Sequence, residues 1–401
     1  MDADELVSRR DAAIAIPRRL QAAPPGSPQP TPGAPVRRTA PRDGAATTRG
    51  QRMNPIAIPA GRGTRLIAAC GALLLWAATA GTAVADTVAE VRERNMLKCG
   101  VNGEVPGLSH RDADGRWSGL DVDFCRAVAA AVLDDADAVE LVALTPDERF
   151  GALRSGSVDL LARNTTWTGQ RDITERVSFA GVLYYDGQGF MVPRKTDTLS
   201  ALELDRSKVC AISGTTSVDN AKRWFTRHRM ALELIVHPDL ETAAAAYLDG
   251  KCDTLTTDRS QLHALRGTLP DPAAQRILPE VISKEPLSPA VRAGDERWLD
   301  LVRWTLFTLI EAEELGIDAT NVVAAKNRAQ SDRVRALLDL DGTTSNVLGI
   351  DPAWGYRVIR AVGNYGELFE RNLGPASGLG IKRGLNALWS DGGLMYAPPA
   401  R

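Results

Sequence analysis

Three polar clusters in this chain carry the residue types needed to hold a small zwitterion. The first is Arg163-Asn164-Thr165-Thr166-Trp167-Thr168-Gly169-Gln170-Arg171-Asp172, in which hydroxyls and backbone N–H groups precede a guanidinium. A guanidinium presents a fixed fork of donors that grips a carboxylate through two hydrogen bonds. Taken alone, an arginine at 171 more often pairs with a neighbour such as Asp172. The second cluster, Ser213-Gly214-Thr215-Thr216, opens a helical pattern. Free N–H groups at a helix start favour an anion, and plain N-capping is the other use of such hydroxyls. The third, Thr256-Thr257-Asp258-Arg259-Ser260, offers a carboxylate that could hold an ammonium group or cap its own helix. A carboxylate clamp facing a carboxylate suits the two charges of an α-amino acid.

Other chemistries find little support. The chain has no phosphate-binding Gly-x-x-x-x-Gly-Lys-Ser/Thr loop, no His-Glu-x-x-His and no Gly-x-Ser-x-Gly, and Gly378-Leu-Gly380 lacks the third glycine of a dinucleotide loop. No cofactor is expected. The four histidines (His110, His228, His237, His263) are scattered and no cysteine pair has metal-ligand spacing, so no metal centre is expected either.

The elements that must position these clusters alternate. Strand-like 97–101 leads to a helix over 120–133, strand 139–143 to helix 146–155, and strand 158–162 follows. A long strand is expected over 184–193. A second set then repeats the pattern: strand 208–212, helix 217–229, strand 232–236, helix 240–248, strand 252–256 and helix 259–266. Such alternation predicts α/β units with parallel strands under covering helices, and two units in tandem predict two lobes around a cleft. The polar clusters fall where strands end and helices begin, the ligand-binding edge of open α/β sheets. A long amphipathic helix over 295–315, with Trp298, Leu301, Val302, Leu306, Leu309 and Ile310 facing inward, is expected to return to the first lobe. The remainder reads as helices over 332–338 and 354–372.

Residues 1–52 are rich in Pro and Arg without apolar periodicity and read as a disordered segment, upstream of the expected start at Met53. Met53 begins a different pattern. Arg62 and Arg65 precede an apolar run from Leu66 to Ala80, and Ala83-Val-Ala85 fits a small-x-small cleavage site, so 53–85 reads as a signal peptide. The run is shorter than the roughly 20 residues that span a bilayer. Cys70 lies near the start of that run, unlike a lipidated cysteine. Residues 1–85 hold 11 of the 48 basic and 5 of the 50 acidic side chains, leaving a net charge of about −8 on the rest. That balance argues against nucleic acid as a partner. Four cysteines remain, Cys99, Cys125, Cys210 and Cys252. They allow three connectivities; chain order points to Cys99 with Cys125 and Cys210 with Cys252, and four buried thiols are the alternative.

The segment Gly119-Leu-Asp121-Val-Asp123, Ala162 through Arg171, Tyr184-Tyr-Asp-Gly-Gln-Gly-Phe-Met-Val192, Ser213 to Thr216 and Thr256-Thr-Asp258 together resemble the polar amino-acid family (family 3) of solute-binding proteins serving ABC transporters, in its general L-amino-acid branch. The resemblance covers roughly 86–395. It implies a type II periplasmic binding protein fold with two hinge strands and a C-terminal helical extension: lobe 1 over 86–190, lobe 2 over 191–283, a return to lobe 1 over 284–317, and the extension over 318–401. It implies that Arg171 and Thr166 bind the α-carboxylate, with a backbone N–H from Thr216, and that Asp258 and the carbonyl of Asn164 bind the α-ammonium. Arg149 matches a position lying over the ligand, which suits acidic or amide side chains, and Trp167 is expected to wall the cleft. One departure stands at Asn102-Gly-Glu104-Val-Pro-Gly107, where many relatives place an acid and an aromatic ring. The expected function is capture of L-amino acids in the periplasm by a monomer and delivery to membrane permease subunits driven by a separate ATPase. A dehydratase on the same scaffold, with Glu104 as general acid, and a receptor sensing domain are the rivals.

Overall fold

The computed structural model describes residues 86–329 and 331–400; the segments 1–52 and 53–85 lie outside the described residues. Helix α1 (Thr87–Arg94) comes first, capped by the Asp86 side chain on the N–H of Ala89. It escapes the sequence pattern because, in its eight charged-rich residues, only Val88 and Val91 are apolar side chains larger than alanine.

The first lobe is a five-stranded sheet. Strands β1 (Leu97–Val101), β5 (Val139–Ala143) and β6 (Leu160–Leu161) run parallel, with Cys99 opposite both Leu141 and Leu160. Between β1 and β5 come the short strands β2 (Glu104–Val105), β3 (Ser109–Arg111) and β4 (Trp117–Ser118), which form a small sheet of their own, and helix α2 (Leu120–Leu133). After β5, α3 (Arg149–Ser155) precedes β6, then α4 (Gly169–Thr174) leads to β7 (Val177–Phe179). The glycine before α2 has a physical reason: Gly119 has φ +125° and an added Cβ would stand 2.1 Å from the Leu108 carbonyl oxygen. This close approach lets Leu108 O accept the N–H of Asp121.

The expected strand over 184–193 is two strands. β8 (Tyr184–Asp186) and β9 (Gln188–Pro193) are parted at Gly187, whose N–H goes to the Asp186 side chain and whose carbonyl accepts from Arg259 N. The Gly187 N–H is thereby withheld from any strand partner. The second lobe follows with β10 (Ser207–Ile212), α5 (Ser217–Arg227), β11 (Leu232–His237), α6 (Leu240–Leu248), β12 (Thr254–Asp258), α7 (Arg259–Thr268) and β13 (Gln275–Ile277). Its sheet order is β11-β10-β12-β9-β13, with β9 antiparallel to its neighbours. β14 (Glu285–Leu287) pairs antiparallel with β8, so two strands cross between the lobes. β15 (Ala290–Arg292) then completes the first sheet, in the order β5-β1-β6-β15-β7. Both sheets are mixed, the crossing segments supplying the antiparallel strands.

Helix α8 (Glu296–Glu314) returns to the first lobe with all six expected inward residues buried. The extension comprises α9 (Val322–Arg328), α10 (Asp332–Leu337), α11 (Thr343–Leu348), α12 (Trp354–Val362) and α13 (Tyr365–Asn372). The single helix expected over 354–372 is broken because Gly363 takes φ +84° and Asn364 starts anew with a capping box to Glu367. Buried Arg357 of α12 donates to the carbonyls of Ala130 and Ala131, satisfying the end of α2. Asp123 in α2 accepts in turn from Arg371 and Asn372. The extension also grips β8: Tyr365 donates to Leu183 O, and the Asn386 amide bonds both the N–H and the carbonyl of Tyr185. Cys99–Cys125 and Cys210–Cys252 are disulfides, one within each lobe.

Candidate functional site

Between the sheets lies a cavity of about 140 Å3, lined from the first lobe by Arg149, Asn164, Thr166 and Arg171 and from the second by Thr216 and Asp258. Six of the seven residues singled out in the sequence meet there. Trp167 does not line it. Its ring stacks on Phe179 with centroids 5.5 Å apart and is 38 % exposed.

Each residue stands at a strand exit or helix start. Asn164, with φ +38°, turns the chain out of β6, and its N–H donates to Asp121 of the Gly119–Asp123 motif. Burial pushes the Asp121 carboxyl up to about 7. Arg171 sits in the first turn of α4, capped by Thr168. It does not pair with Asp172; its guanidinium donates to the Thr166 carbonyl at 2.9 Å and to the Gly214 carbonyl at 3.2 Å. Arg149 at the start of α3 donates to the same Gly214 carbonyl at 2.9 Å, and its buried Nε has no partner. Both guanidiniums lie over the Phe150 ring. Because Gly214 belongs to the second lobe, these bonds and Ser213 Oγ to Asp147 hold the lobes against each other.

The alternatives of plain helix capping are not realised at Thr216 or Asp258, neither of which caps its helix with its side chain. Asp258 accepts from the Gln261 amide and makes no ion pair among the described residues. Burial first, then the like charges of Glu285 and Asp186, hold its carboxyl well above the usual range. A cation placed beside it would reverse that penalty. Burial lowers the Arg171 guanidinium, opposed by Glu285 and Asp258.

Several lining residues have no ligand contact assigned to them in the sequence analysis. Asn102 donates to the Asn164 side chain. Arg163, whose Nε bonds the Leu144 carbonyl, is pushed down to about 10 by burial. Glu104 and Asp239 bring acids to the cavity from opposite lobes. Arg163 and Asn102 stand next to residues that were legible, and only the folded strand exits show that they also face the cleft. Outside the site, His237 Nε2 lies 3.2 Å from Cys210 Sγ and close to Cys252; the two sulfurs are bonded to each other, and the group is a packed disulfide.

Residues 97–317 match the model of the bacterial extracellular solute-binding proteins, family 3. The general L-amino acid-binding periplasmic protein AapJ of Rhizobium johnstonii is 48 % identical over 337 residues, 84 % of this chain and 98 % of its own. The glutamate/glutamine/aspartate/asparagine-binding protein BztA of Rhodobacter capsulatus is 45 % identical over 331 residues, covering 82 % and 98 %. Among solved structures, a periplasmic binding protein from Brucella ovis with glutathione bound aligns with TM-score 0.77 at 45 % identity, covering 79 % of this chain and all of that one.

Proposed function

The chain belongs to the bacterial extracellular solute-binding proteins, family 3, and from that membership we propose that it captures L-amino acids in the periplasm and hands them to the permease of an ABC transporter. The observation that carries this reading is the pairing of Arg171 in one lobe with Asp258, a buried carboxylate without an ion-pair partner among the described residues, in the other. Arg171, with backbone N–H groups of Thr166 and Thr216, takes the α-carboxylate; Asp258, with the Asn164 carbonyl, takes the α-ammonium. The ligand side chain points toward Arg149 and Arg163, whose charges suit acidic and amide groups. The names of AapJ and BztA support a broad range that includes such side chains.

A ligand touching both lobes favours the closed form by its differential affinity for it, and closure at the two crossing strands is the mechanism. The protein acts as a monomer without catalysis, after removal of the 53–85 signal, and a separate ATPase subunit powers transport. The cavity of about 140 Å3 is on the scale of one that accepts benzene, roughly 150 Å3. It suits one small molecule rather than a peptide. Glutathione, named for the Brucella relative, carries the same α-amino-acid head group at its γ-glutamyl end, but would demand a wider cleft.

The test is thermal unfolding of the refolded, ligand-stripped protein against each of the twenty L-amino acids and glutathione. A ligand at about 1,000 times its Kd stabilises by about 4 kcal/mol. Shifts with glutamate, glutamine, aspartate and asparagine among others are expected. No shift with any amino acid would refute the reading.

A further inference from the structure

Glu285 opens the crossing strand β14, is 1 % exposed, and enters the site as described so far only through its charge. One of its oxygens, Oε2, accepts from Thr166 Oγ1 at 2.6 Å and from Thr216 Oγ1 at 2.8 Å. The other, Oε1, accepts from Asn220 Nδ2 at 2.6 Å and from Ser283 Oγ at 2.5 Å. Thr166 lies in the first lobe, whereas Thr216 and Asn220 flank the start of α5 in the second. A single carboxylate therefore gathers donors from both lobes. A carboxylate offers acceptors only, and here it meets only donors.

Two consequences follow from the valence of these groups. Each threonine hydroxyl has one proton to give, and the bonds to Glu285 use it. Thr166 and Thr216 are thus left to serve a bound carboxylate through their backbone N–H groups. The second concerns movement. The Thr166 segment is fastened to β14 by Trp167 N to Pro286 O at 2.8 Å and Ser288 N to Thr165 O at 2.9 Å. Glu285 therefore travels with the first lobe, and its bonds to Thr216 and Asn220 are the ones that opening must break.

We infer that Glu285 is a positioning residue and latch of the closed form, holding Thr166 and Thr216 over the ligand site and joining the lobes when they meet. Its effect on amino acids rests on the binding reading above, while its effect on closure does not. A latch on the closed form slows ligand escape, and its loss does not slow capture.

Two arms test this with the purified protein. In the first, energy transfer between dyes on the two lobes is followed without ligand in wild type, Glu285→Gln and Thr216→Val; Gln turns an amide NH2 toward donors, and Val removes one hydroxyl at similar volume. Both variants are expected to shift the lobes apart, and an unchanged distance distribution would overturn the latch. In the second arm, stopped-flow with glutamate is expected to show dissociation about tenfold faster in each variant, association no slower, and the double variant no worse than Glu285→Gln. Additive losses, or losses in association alone, would also overturn it. Failure of the wild type to bind glutamate or any other amino acid would sink the binding reading and leave the first arm to decide the latch. Thr216→Val keeps the test open should Glu285→Gln not fold.

Discussion

Asp258, buried, and Arg171, half-buried, are groups of opposite charge that the fold places on different lobes, each lining the cavity. Removing one partner of a buried charge contact costs about 2–5 kcal/mol. Asp258→Asn and Arg171→Ala are therefore each expected to weaken amino-acid binding by roughly a hundredfold or more, measured by calorimetry on variants whose far-UV spectra match the wild type. The acids also set a pH dependence. Burial raises Asp121 to about 7 and Asp186 to about 6, and holds Asp258 well above 3.8. A carboxyl raised by folding keeps its proton in the native state after the unfolded chain has lost it, so its contribution to stability falls as pH rises through that interval. These three acids should make the ligand-free protein less stable near pH 7 than near pH 5. A ligand ammonium favours ionised Asp258, so affinity should rise over the same interval. Melting curves across pH with and without glutamate read both, and a ligand-free midpoint that climbs toward pH 7 would contradict the assignment. Of the residues at work here, Asp258, Arg171 and Thr216 are legible because strand exits expose polar side chains to the edge where ligands bind. Glu285 is not legible: it starts a three-residue strand before a proline, and nothing local distinguishes it from a surface acid.

At the scale of elements, alternation of strand and helix is legible because each element has an apolar face to bury, and the helix over 296–314 keeps a full inner stripe. Breaks are harder, since they depend on single backbone positions. The Gly363-Asn364-x-x-Glu367 stop and restart is written in the sequence, yet the apolar stripe runs on through it. The interruption at Gly187 is set by contacts from Asp186 and Arg259 that exist only after folding. The extension's hold on β8 is of the same tertiary kind. Asn386 acts as a substitute strand neighbour for Tyr185, taking its N–H and feeding its carbonyl. Asn386→Ala should cost about 1–3 kcal/mol in urea unfolding by leaving both groups without these partners. A loss under 0.5 kcal/mol would mean that water replaces them freely.

For the whole molecule, the lobes touch through a glycine. Gly214 has φ +64°, and a Cβ on it would stand 2.1 Å from the Asp147 side chain of the other lobe. Gly214→Ala should therefore hinder closure more than folding, lowering amino-acid affinity about tenfold with a loss of stability of about 1 kcal/mol. Glutamate titration beside a melting curve separates the two effects; equal affinity would show that the lobes close with room to spare.

The disulfides lie wholly within lobes, and they also join cysteines that are consecutive along the chain, Cys99 to Cys125 and Cys210 to Cys252. If the chain is threaded N-terminus first into an oxidising compartment and Cys70 leaves with the 53–85 signal, Cys99 and Cys125 meet before Cys210 has emerged. Pairing each cysteine with the next to arrive gives the native bonds directly. Maturation should then call for an oxidant but no disulfide isomerase, because order of emergence already selects one connectivity out of three.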